Sequence, residues 1–103
     1  MPDRPTLEHL RLSSLELNGR SVEVTSAELV RIQHWRGEEP AQREWEVHGR
    51  TYDAGIRDGP QTISFTADDR RYRGKAVVSA TQSIGSELWA FQAIGLGDLT
   101  KAG

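Results

Sequence analysis

Leu15-Glu16-Leu17-Asn18-Gly19-Arg20-Ser21-Val22-Glu23-Val24 is the stretch on which the fold turns. Two alternating runs flank an Asn-Gly pair, and residues two apart share one face of a strand. Asn and Gly accept the positive φ angles of a type I′ turn, whose twist suits a two-residue connection between antiparallel strands. The segment predicts a β-hairpin.

Moving toward the N-terminus, Leu10, Leu12, Leu15 and Leu17 mostly alternate, which predicts a strand over 10–17. Leu7 and Leu10 are spaced as on a helix and leave room for one short helical turn before it. Residues 1–6, with two prolines and mixed charge, read as a flexible leader. Moving the other way, residues 26–35 fit a helical turn or a continued strand equally well. Residues 37–43 are a loop by composition, and Glu44–His48 resumes an extended pattern. Residues 53–60 are again a loop. Thr62–Thr66 alternates, and Asp68-Asp69-Arg70 is turn chemistry. Tyr72, Gly74, Ala76 and Val78 share a strand face opposite Arg71, Arg73 and Lys75. Ser83–Ser86 turns the chain into a last strand over 88–94, with Trp89, Phe91 and Ala93 on one face. Gly95-Leu96-Gly97 reads as a flexible exit and 98–103 as a flexible tail. His48-Gly49-Arg50-Thr51 echoes Asn18-Gly19-Arg20-Ser21 and reads as a second turn of similar chemistry. The whole predicts one mainly β domain over 1–103, a small antiparallel β-sandwich or barrel of about six strands.

With 103 residues the chain suits one domain and one core. At 36% apolar and 27% charged residues that core should be thin, and assembly into an oligomer is one remedy. The formal net charge of -2 gives no strong field toward nucleic acid or acidic lipid. No run reaches the roughly 18 apolar residues that a spanning helix needs, and no apolar secretion signal opens the chain. Cysteine is absent, so disulfides, thiolate zinc sites and cysteine nucleophiles are excluded.

Nothing in the sequence assembles into catalytic machinery, and no cofactor or metal is expected. His9, His34 and His48 lack the close spacing of a metal motif. Glu38-Glu39 and Asp68-Asp69 sit in polar turns, not across a cleft where burial could raise one pKa. There is no Gly-x-Ser-x-Gly elbow and no Gly-rich phosphate loop followed by Lys. Arg71, Arg73 and Lys75 share a strand face that could track a phosphate backbone, or could simply be solvated and discourage edge pairing. Trp35 and Trp45 flank the charged loop 37–43, and their immediate neighbours are polar; each is a candidate anchor for a partner. Arg57 in the loop 53–60 is a third candidate contact.

Residues 72–99 resemble the C-terminal hairpin of tailed-bacteriophage tail-tube and related tail or baseplate proteins. The resemblance rests on Tyr72, Gly74 and Ala76 in one strand, Phe91 in the next, and an exit through Gly95, Gly97 and Leu99. Leu17-Asn-Gly-Arg-Ser-Val-Glu-Val-Thr-Ser26 resembles the opening hairpin of such proteins. The likeness covers about half the chain. It implies a non-enzymatic structural subunit of a phage or prophage particle, in a virion or a bacterial host's cytoplasm. Such a subunit forms homo-oligomers, or assembles with other particle proteins, through strand edges and loops. The chain is short for a tube subunit, and residues 26–60 do not clearly read as the long inter-subunit hairpin of that family. A small binding module for nucleic acid or another ligand, using Arg71, Arg73 and Lys75, is the alternative.

Overall fold

In the computed structural model, which describes residues 4–101, Asn18 and Gly19 both take positive φ, 51° and 80°. They join β1 (Thr6–Leu17) to the two-residue β2 (Arg20–Ser21) in the expected hairpin. The turn does a second job that its local pattern did not signal. Its amide N–H donates to the Thr62 carbonyl at 2.8 Å, and its side-chain oxygen accepts from the Thr62 N–H at 2.9 Å. The hairpin is thereby fastened to a strand 44 residues away.

The remaining elements are β3 (Ser26–Arg36), β4 (Glu39–Thr51), β5 (Gly59–Ala67), β6 (Arg70–Gln82) and β7 (Trp89–Lys101). All pairings are antiparallel, in the order β2-β1-β3-β4-β7-β6-β5. β1 also pairs with β5, so six strands form a closed ring. β1 serves both seams and divides its length between them. Thr6–Arg11 pairs with β3 and Leu12–Leu17 with β5, with a register shift between Leu12 and Ser14.

Several local expectations change. Among the described residues there is no helix; Leu7 and Leu10 lie in β1, where antiparallel pairing to Ile32 and Leu29 satisfies the backbone. The ambiguous 26–35 is strand, with Ala27 and Leu29 buried in alternation. The loop 37–43 shrinks to a turn at Gly37-Glu38, and Glu39–Arg43 belongs to β4. Pro40 is tolerated there because it lies beside a register shift on a strand with one free edge. His48–Thr51 is the C-terminal end of β4, not a turn. Asp98–Lys101, expected as tail, continues β7, and its Thr100 and Lys101 pair with Arg73 and Tyr72; residues 1–3 and 102–103 lie outside the described residues. The C-terminal meander β5–β6–β7 forms as expected, with Asp68 and Asp69 both at positive φ in its first turn.

The ring is filled by Leu12, Leu15, Leu17, Leu29, Val47, Ile63, Ala76, Val78 and Ala93, each an inward member of an alternating strand. Phe65 stacks on Tyr72 at 5.6 Å and lies 6.3 Å from the Trp45 ring. Small residues make room for the large ones. A Cβ on Gly49 would stand 2.6 Å from the Phe91 ring and 2.7 Å from the Ser26 carbonyl oxygen.

Candidate functional site

β4 and β7 pair from Thr51↔Trp89 to Glu46↔Ile94 and then part. Beyond that point, Glu39–Trp45 pairs only with β3, and Gly95–Lys101 only with β6. Trp45 is the wedge. Its indole lies against the backbone of both glycines opposite: a Cβ on Gly95 would stand 2.3 Å from it, and one on Gly74 2.7 Å. Its Nε1 donates to the Gly97 carbonyl at 3.0 Å. Gly97, at φ 80°, sits in a β7 bulge between the pairs Lys75↔Leu96 and Arg73↔Thr100. The glycine-rich exit is therefore a platform for Trp45 and not a flexible end.

The parted strands flank a cleft of about 710 Å³. One wall carries Arg31, Gln33 and Arg43, and the other is Gly97–Thr100. Its charges are internally tied. Arg31 bonds Glu8 through Nε at 2.6 Å and lies 5.5 Å over the Tyr72 ring, a cation–π contact. Arg43 Nε donates to Gln33 Oε1 at 2.9 Å. What stays unengaged by any strand is the second edge of Glu39–Trp45, a row of backbone donors and acceptors.

The sequence candidates scatter. Trp45 is buried, not a surface anchor. Trp35 is half-buried near the β3–β4 turn and donates from Nε1 to Thr6 Oγ1 at 2.8 Å. Arg57 is exposed in the loop after β4, so a strand of roughly 40 Å separates it from Trp35. Arg71, Arg73 and Lys75 do share an exposed face. Arg71 pairs with Glu16 at 3.0 Å, while Arg73 and Lys75 have no ion-pair partner among the described residues.

Each histidine meets a glutamate: His9–Glu28 at 2.6 Å, His34–Glu44 at 2.8 Å and His48–Glu46 at 2.6 Å. Among the described residues, no group of three or more histidines and carboxylates could hold a metal ion. The one clear electrostatic perturbation is structural. Arg20 Nη1 donates to Asp53 at 2.6 Å and the Gly55 N–H donates to its other oxygen at 2.8 Å. These bonds, the Arg20 one foremost, hold Asp53 below the ordinary aspartate pKa.

Sequence reading missed the parted seam. It also missed that Ile94 and Leu96, on the outer face of β7, are 40% and 49% exposed. Their signal was present in Ala93-Ile94-Gly95-Leu96, which is apolar on both faces of the strand.

No protein-family model, no curated protein and no solved structure matches the chain. Among the described residues, no helix is long and apolar enough to cross a membrane.

Proposed function

We propose that this chain is a non-enzymatic structural subunit of a phage or prophage tail-like particle, working by self-assembly. The observation that carries the reading is the open edge of β4 at Glu39–Trp45, borne on a β3–β4 hairpin of 11 and 13 residues. The segment that did not read as a long hairpin from sequence is one. Its distal part diverges from β7, leaving free backbone groups that another chain's strand can pair with. Pro40 and the charged Arg43 and Glu44 along that edge disfavour indiscriminate pairing and so narrow it to a matched partner. The sequence resemblance supplies the particle context, in a virion or in the cytoplasm of a bacterial host.

Light scattering over a concentration series tests the reading. Assemblies larger than a dimer are expected. Successive N–H groups along a strand point to opposite sides. Proline at Ala41 or at Gln42 therefore removes an N–H from the open edge in one of the two variants. That variant should lose assembly with its fold intact by circular dichroism. A protein that stays monomeric at the highest reachable concentration overturns the reading.

The unpaired Arg73 and Lys75 favour a second reading, a binding module for a polyanion. It requires binding of single-stranded DNA that weakens steeply with salt and vanishes when Arg71, Arg73 and Lys75 are neutralised together.

A further inference from the structure

The end of the ring where β4 and β7 part has a second open edge. β3 and β5 take opposite edges of β1, and β5 ends at Ala67, beside Leu12. Among the described residues, no strand pairs with the β5-side edge of Thr6–Arg11. The second edge of Glu39–Trp45 on β4 is open likewise. These two edges bound one sheet. Thr6 and Arg43 face Gln33 from either side, and Glu8 and Trp45 face Arg31 in the same way. The free stretches therefore lie level with each other, on opposite sides of β3.

β1 and β4 are both antiparallel to β3, so they run the same way. Copies with their strands aligned can set the β4 edge of one against the β1 edge of the next as a parallel pair. Pairing either edge with itself is isologous; it stops at a dimer and leaves the other edge open. Pairing β4 with β1 occupies both edges of a copy and repeats into a ring or a filament. We infer that the strand covering the open β4 edge is Thr6–Arg11 of a second copy, paired in parallel, head to tail. This rests on the self-assembly proposed above and names its partner strand.

Side chains set the register. Among the described residues Arg43 has no ion-pair partner, and Gln33 Oε1 holds its Nε on the cleft face. Glu8 also lines the cleft, and it gives Arg31 only Oε1. Setting Arg43 beside Glu8 of the next copy brings its guanidinium Nη groups to the other carboxylate oxygen, Oε2. The same register sets Glu44 beside His9 on the outer face, and Gln42 beside Leu7, which is 54% exposed. An offset of one residue puts the two faces out of step. An offset of two sets Arg43 beside Thr6 or Leu10, with no charge to meet.

The chain has no cysteine, so introduced thiols report contacts without background. Leu7 and Gln42 are both exposed, so cysteine at either leaves the fold intact. Oxidation of the double variant Leu7→Cys/Gln42→Cys should give a ladder of disulfide-linked multimers on a denaturing gel. Mixing the two single variants should give a linked dimer with one chain of each kind and nothing larger. Neither single variant should link to itself. Arg43→Glu should weaken assembly by about tenfold or more in sedimentation velocity. Gln42→Cys linking to itself places β4 against β4 and overturns the inference, as does undiminished assembly of Arg43→Glu. Assembly that falls with proline at Ala41 or Gln42, while the double variant stays unlinked, also overturns it and leaves the proposed function standing with another partner strand. A chain that never assembles overturns both.

Discussion

Gly95→Ala should be among the most costly single-methyl additions in this protein. Gly95 is not among the glycines at positive φ, so its backbone suits alanine, and alanine normally gains a little over glycine through the unfolded state. The cost is therefore steric. The new Cβ would stand 2.3 Å from Trp45 Cε2, 2.5 Å from Nε1 and 2.6 Å from Cδ2. A rigid indole cannot yield by turning one end. It must lift as a whole, breaking the Nε1 bond to the Gly97 carbonyl and disturbing its contact with Phe65. Overpacking costs ~1–3 kcal/mol and the lost hydrogen bond ~1 kcal/mol, so the net destabilisation should be about 2–3 kcal/mol. For a domain of this size that lowers the melting temperature by roughly 10–20 °C. Urea unfolding followed by far-ultraviolet circular dichroism measures it. A double-mutant cycle isolates the cause: with Trp45→Val in place, Gly95→Ala should cost less than about 0.5 kcal/mol, because its clash partner has gone. A neutral Gly95→Ala, or the same cost in both backgrounds, would refute the platform argument.

Three further outcomes follow from the same geometry. Asn18→Gly keeps the turn and its backbone bond to the Thr62 carbonyl but loses the side-chain bond from the Thr62 N–H, and should cost ~1 kcal/mol by denaturant midpoint; Asn18→Ala adds strain at positive φ and should cost more. Gly49→Ala should destabilise through Phe91 and the Ser26 carbonyl, with protection of Phe91-flanking amides in hydrogen exchange falling first. Asp53 has its pKa lowered in the folded state, so its stabilising effect is complete above the unfolded value of about 3.9 and fades as pH falls below it. Asp53→Asn should therefore lower the melting temperature at neutral pH and flatten its dependence on pH in the acid range, whereas an unchanged acid-range slope would rule out that linkage.

The candidate site shows why local reading went partly astray. Trp45 looked uncovered because Glu44 and Glu46 flank it in sequence. In a strand those neighbours point to the opposite face, so they carry no information about what covers the indole. Its cover comes from Gly74 and Gly95, about 30 and 50 positions away, and the absence of their side chains is what makes the cover possible. Loop composition misled for a related reason. Glu39–Arg43 is polar because one edge and much of both faces meet solvent, not because its backbone lacks a partner.

By itself the sequence determined what depends on near neighbours: the alternation that makes strands, the Asn18-Gly19 and Asp68-Asp69 turns, and the β5–β6–β7 meander. It also determined the inward side chains of most strands, since face alternation follows from backbone geometry alone. Only the tertiary structure decided which strand edges meet. Closure of the ring between Leu12–Leu17 of β1 and β5, and the parting of β4 from β7 at Trp45, join residues some 50 positions apart. Backbone hydrogen bonds are nearly blind to residue type, so no local pattern names their partner. Packing chose it, through the fit of a few large side chains against glycines that leave them room.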